Sequence, residues 1–222
     1  MQTVEYAPGR FVDVFGEAGR PVVLVWHGMQ SNARASVRPL ASLIAEHGLA
    51  VLAPDWNSAA DDNGRGDLLA SVRFAQDRAQ NDSLVVVGWS MGGVAAAGLA
   101  INAAQHDVRI RHTVCLAGAF MAADPISGRV PATDMPGSAE PSPFTLLHGV
   151  GDDVVPVSAS REFAAVLEKH QWPVESAELD ADHASIAGAG YDPVAGRYFP
   201  AEDPGTLAVA ADVADRIASV CR

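Results

Sequence analysis

The sequence predicts an α/β fold, with a mostly parallel central sheet of about seven or eight strands and helices on both faces. Three observations carry this expectation. Short runs such as residues 22–26 and 84–87 are uniformly apolar, as strands covered on both faces must be. They alternate with stretches of helical length and periodicity, the rhythm of successive β-α-β units. The 222 residues, 49% of them hydrophobic, suffice for one sizeable core, so a single domain over 1–222 is expected.

The elements follow in order. Residues 3–6 and 11–15 read as two short strands around a turn at Ala7-Pro8-Gly9. Residues 22–26 form a strand, and 35–46 a helix that Gly48 ends. The strand 49–53 closes at Pro54-Asp55, and a helix over 68–79 leads to the strand 84–87. A small-residue helix over 94–104 and a strand over 113–116 come next. Strand 144–147, helix 158–170 and strand 174–179 follow, and an amphipathic helix over 207–220 closes the chain. Two stretches break the rhythm: 122–143 holds five prolines and 188–205 holds three. Loops of this length are functional or disordered, and both leave the carboxyl ends of strands, where open α/β sheets place ligands. The first is expected as a long loop or minimal cap near the site.

Composition excludes several function classes. The net charge is −12, the pI is near 4.8, and the 15 Lys and Arg are scattered. Nucleic acid and anionic membrane surfaces both demand a basic cluster, so neither is an expected partner. No apolar run is long enough for membrane insertion, and residues 1–10 lack a secretory pattern, so a cytoplasmic location is expected. Two cysteines, Cys115 in a strand-like run and the penultimate Cys221, do not make a disulfide framework. No metal-ligand spacing, dinucleotide fingerprint or phosphate loop is present, so no cofactor and no metal is expected.

The chemistry gathers at strand ends. The β-branched run before Gly88-Trp89-Ser90-Met91-Gly92 and the helix after it give strand, tight turn and helix, the setting in which Gly-x-Ser-x-Gly presents a nucleophilic serine. Ser90 needs a base, and the base an orienting acid. Asp152 follows the strand 144–147 in His148-Gly149-Val150-Gly151-Asp152-Asp153-Val154-Val155-Pro156, and His183 follows 174–179 in Asp180-Ala181-Asp182-His183. Each of the three leaves the carboxyl end of a different strand. Asp153 is the alternative acid, although capping of the next helix suits it better. His27 and His148 precede glycines and are expected to brace backbone. His47, His106, His112 and His170 sit near element ends, where solvated or capping roles are expected. Asp55 is expected to stabilise the turn after Pro54. Trp56, Trp89, Phe120, Met121 and Met29 neighbour strand ends and are candidates for a substrate pocket.

With those residues in place, the chain resembles the α/β-hydrolase superfamily, and within it small, lidless carboxylesterases. The resemblance rests on His27-Gly28-Met29, on Gly88-Trp89-Ser90-Met91-Gly92, on the His-Gly-x-x-Asp-x-x-Val-Pro pattern around Asp152, and on Asp182-His183. The loop at His27 has one glycine where small acetyl esterases carry His-Gly-Gly-Gly. The resemblance implies an α/β-hydrolase fold without a large cap and cleavage of a small-molecule carboxylic ester, with a short acyl group, through an acyl-serine. The backbone N–H groups of Met29 and Met91 would form the oxyanion hole. The same three side chains also serve thioesterases, amidases, peptidases and cofactor-free perhydrolases, and a non-catalytic binding protein is the reading from another class.

Overall fold

The computed structural model describes residues 1–79, 83–135 and 141–221. Eight strands form one sheet: β1 (Gln2–Ala7), β2 (Arg10–Phe15), β3 (Val22–Trp26), β4 (Ala50–Pro54), β5 (Ser83–Trp89), β6 (Arg109–Leu116), β7 (Phe144–Gly149) and β8 (Val174–Leu179). Their order is β1-β2-β4-β3-β5-β6-β7-β8. From β4 to β8 every pairing is parallel, and β1 and β2 run antiparallel at one edge. The helices are α1 (Arg38–Glu46), α2 (Arg65–Gln76), α3 (Met91–Ile101), α4 (Ser158–Lys169) and α5 (Pro204–Val220).

Successive side chains of a strand leave opposite faces, and here both faces are covered. Val85, Val87 and Trp89 of β5 pack in a core with α1 and α5. Leu84 and Val86, from the same strand, pack against α2 and α3 on the other side. Farther along, Phe144 and Leu146 of β7 meet α3 and Phe163 and Leu167 of α4. That double burial is why the central strands lack polar alternation. Edge strand β8 shows the contrast, with Glu175, Ser176 and Glu178 exposed.

Every predicted element exists, with shifts that have local causes. The first turn of the predicted helix 35–46 is a 3-10 turn (Arg34–Val37), and α1 proper begins beside Pro39. α3 starts at Met91, three residues before the predicted point, because Gly92 and Gly93 hide a helix start that the turn itself imposes. The stretch 188–205 is not structureless: it holds a hairpin of β9 (Ala189–Asp192) and β10 (Arg197–Pro200). His112, expected near an element end, lies inside β6 and hydrogen-bonds Thr145 Oγ1 at 2.8 Å.

The described part of the proline-rich stretch 122–143 is loop with one 3-10 turn, Pro131–Thr133. Residues 136–140 of it lie outside the described residues. Its described part folds down onto α3: Asp124 Oδ1 accepts from the N–H groups of Ile126 and Ser127, and Asp124 sits where a Cβ on Gly98 would lie 2.2 Å from its carboxyl carbon. Among the described residues no cap domain covers the sheet, and no helix is long and apolar enough to cross a membrane.

Candidate active site

Ser90 sits between β5 and α3 with φ 55° and ψ −117°, backbone angles that L-residues adopt only under strain. The reversal leaves no room for side chains around it. A Cβ on Gly88 would lie 2.0 Å from the Gly92 carbonyl oxygen, and one on Gly92 would lie 2.5 Å from that of His27. The Ser90 N–H donates to the Leu116 carbonyl at 2.8 Å, which ties the turn to β6. Its own carbonyl accepts from Gly93 and Val94 N–H and so starts α3. Neither Met91 nor Met29 donates its N–H to a backbone carbonyl among the described residues. Both donors therefore remain available at the turn and at the loop after β3.

Asp152 and His183 meet. Asp152 Oδ2 lies 2.7 Å from His183 Nδ1 and 3.3 Å from His148 Nε2, while Oδ1 accepts from Val154 N–H at 2.9 Å and Val155 N–H at 2.8 Å. Burial alone would raise this carboxyl. The hydrogen bonds from His148, His183 and Val155 outweigh that and hold it far below the usual carboxylate range. An ionised carboxylate only accepts, so Nδ1 of His183 donates to it, and in the neutral ring the lone pair is the one on Nε2. The His183 turn is braced by Asp182 Oδ1, which accepts from Ala184 and Ser185 N–H at 2.9 and 2.7 Å. The Trp89 indole N–H donates to the His183 carbonyl at 2.7 Å.

Ser90 and His183 line one cavity of about 580 Å³, together with Met29, Gln30, Trp89 and Tyr198. The Ser90 hydroxyl makes no hydrogen bond among the described residues. Such contacts are commonly long before substrate binds.

The loop after β3 is held by His27, as expected. Its Nδ1–H donates to the Gly28 carbonyl at 2.8 Å, which leaves Nε2 to accept the N–H groups of Ala33 and Trp56 at 3.2 Å each. Complete burial pushes its pKa down to about 4, so the ring stays neutral and keeps that acceptor. His148 likewise braces backbone, accepting from Ser160 Oγ at 2.7 Å and donating from Nε2 to the Val155 carbonyl at 2.9 Å.

Several sequence-based expectations need correction. Trp56 is wholly buried beside the sheet, stacked on His27 with its indole N–H on the His27 carbonyl, and lines no part of the cavity. Phe120 stacks on Phe163 at 4.1 Å in the core near α4. Met121 is exposed but does not line the cavity either. Of the expected pocket side chains, Trp89 and Met29 are there. Asp153 caps no helix: the start of α4 has no side-chain cap, and Asp153 lies on the cavity wall. Asp55 does more than steady a turn, since it forms a partly buried ion pair with Arg34, which also reaches Asp13 at 3.0 Å. Gln30, Tyr191 and Tyr198 went unnoticed in the sequence. The signal was the proline-bearing stretch 188–205 leaving the His183 strand, in which two tyrosines stand among turn residues.

Solved structures of similar shape are esterases and hydrolases. An esterase from the Planctomycetes species Thermogutta terrifontis, solved with propionate, superposes with a TM-score of 0.71 at 16% identity, covering 97% of this chain and 92% of that one. An α/β hydrolase from a Medee basin deep-sea metagenome library gives 0.69 at 17% identity, covering 98% and 97%. A truncated carbohydrate esterase from gut microbiota gives 0.68 at 14% identity, covering 100% and 95%. No family model and no curated protein matches the sequence. The sheet order, the strained serine turn between β5 and α3, and these superpositions together show that the chain carries the α/β-hydrolase fold.

Proposed function

We propose that the protein is a serine hydrolase of small carboxylic esters. Ser90 attacks the ester carbonyl, and His183 Nε2 takes its proton and returns it to the leaving alcohol. Asp152 holds the imidazole in the tautomer with Nδ1–H and stabilises the imidazolium. The tetrahedral oxyanion takes hydrogen bonds from Met29 and Met91 N–H; one such donor is worth about 3–4 kcal/mol of barrier. Water then attacks the acyl-serine with the same base. The observation that carries the reading is the 2.7 Å Asp152–His183 bond beside a strained Ser90 on one cavity wall. A scaffold protein has no use for that strain.

A short acyl group fits best. The cavity is modest, and the Thermogutta esterase is described with propionate and with butyrate bound, and phosphorylated by paraoxon. The decisive experiment is hydrolysis of p-nitrophenyl acetate by wild type and Ser90→Ala, with fluorophosphonate labelling alongside. Turnover and a Ser90 adduct are expected in wild type alone. Equal turnover by both proteins would sink the assignment. A parallel panel of thioesters and amides ranks the competing acyl-transfer activities.

A further inference from the structure

The geometry points to a cation-selecting subsite for the leaving alcohol, formed by Tyr191, Tyr198 and Asp153, so that esters of ammonium-bearing alcohols are preferred. This rests on the ester-hydrolase reading and names its substrate class.

Tyr191 and Tyr198 stand opposite each other in the β9–β10 register, so both rings leave one face of the hairpin. Their centroids are 4.9 Å apart, and both side chains line the cavity. Tyr198 also packs edge-on against Trp89 at 4.8 Å, and its N–H donates to Gln30 Oε1 at 2.9 Å. The hairpin is thereby fixed both to the residue before Ser90 and to the residue after Met29. Its Tyr198 ring lies 6.1 Å from the His183 ring. The leaving oxygen must reach His183 to be protonated, so a group on this side of the cavity meets the alcohol rather than the acyl chain.

The wall carries charge of one sign. Asp153 and Asp182 line it, and no Lys or Arg among the described residues does. Asp182 is engaged with two N–H groups of its own turn, whereas exposed Asp153 makes no hydrogen bond or ion pair among the described residues. Burial first, then Tyr191 and the carboxylates of Asp152, Asp153 and Asp182, push the Tyr198 phenol above its ordinary value, which marks the negative potential there. A tyrosine face attracts a cation within about 6 Å of its centroid, more strongly as water is excluded. The same potential repels a carboxylate and so speeds departure of the acid product.

The test uses intact Ser90→Ala protein at low salt, titrated calorimetrically with 2-(trimethylammonio)ethyl acetate and with its uncharged isostere, 3,3-dimethylbutyl acetate. The cation should bind about three- to thirtyfold tighter. Asp153→Asn and Tyr198→Leu should each shrink that ratio, and Tyr191→Leu serves if Tyr198→Leu does not fold. Asp212→Asn, an equal charge change on exposed α5 where Asp212 pairs with Arg216, should leave the ratio unchanged. Equal binding of the two esters, or no binding of either, overturns the subsite. So does a ratio that Asp212→Asn lowers as much as Asp153→Asn, since the attraction is then one of overall charge. Failure of the reaction reads differently: wild type would leave p-nitrophenyl acetate intact while Ser90→Ala still preferred the cation.

Discussion

Trp89 holds the carbonyl of His183 with its indole N–H at 2.7 Å, so the residue before Ser90 grips the residue that carries the imidazole. Trp89→Phe keeps an aromatic ring against Tyr198 but strips the donor and leaves a buried carbonyl unpaired. The cost should be about 1–3 kcal/mol of stability, read as a lower denaturant midpoint. Hydrolysis of p-nitrophenyl acetate should fall roughly ten- to hundredfold, mostly in kcat, because the base loses its placement. A stable variant with full activity would show that the bond does not position His183.

Asp152→Asn tests the acid. An amide cannot fix the Nδ1–H tautomer or stabilise an imidazolium, so kcat should drop roughly 10³- to 10⁴-fold with little change in KM. Asp153→Asn should not cause a loss of that size in turnover of the same ester. If the two results were exchanged, Asp153 would be the acid.

Acid should weaken the fold in two windows. The His27 pKa is lowered to about 4 from an unfolded value of about 6.5, so between these the unfolded chain binds the extra proton. Stability is therefore complete above about pH 6.5 and declines as pH falls toward 4, by roughly 3 kcal/mol. Asp152, depressed far below its ordinary value, adds a second loss that begins only under about pH 4. Urea midpoints measured across pH 3–8 check both windows. Imidazole nitrogen shifts provide an independent reading: His27 should keep the Nδ1–H tautomer at pH 6, and a protonated ring there would refute the assignment.

Ser90→Gly should abolish turnover and stabilise the protein. Glycine adopts φ 55°, ψ −117° without the clash that costs a side-chain-bearing residue about 1–3 kcal/mol. Its extra freedom when unfolded takes back roughly 0.5–1 kcal/mol. The expected outcome is a melting temperature at or above that of wild type. A lower one would mean that the turn is not strained.

The positions of Ser90 and Asp152 were readable at the ends of apolar runs, and that of His183 at the end of the half-polar strand 174–179, since a parallel sheet aligns the carboxyl ends of such strands. The tryptophans were not readable in the same way. Trp56 and Trp89 both stand at strand ends, yet Trp56 is drawn under the loop after β3 by bonds to His27, and Trp89 faces the cavity. Likewise nothing local set Phe120 apart from a pocket residue. Its stacking on Phe163 depends on α4, some forty positions away. The hairpin of β9 and β10 was hidden because its strands are four residues each and partly polar, too short for a period to register.

Hydrophobic period and glycine placement are properties of neighbouring residues, so strand order in the chain, the serine turn and the loop positions of Asp152 and His183 follow from the string of letters. Which side chains enclose the cavity is a property of distant segments packed at van der Waals range. Tyr198 against Trp89, Gln30 on the β10 backbone, and Asp152 between two imidazoles arise only when the chain has folded. Side-chain direction at a loop is chosen by whatever partner comes within hydrogen-bonding reach, and folding alone supplies that partner.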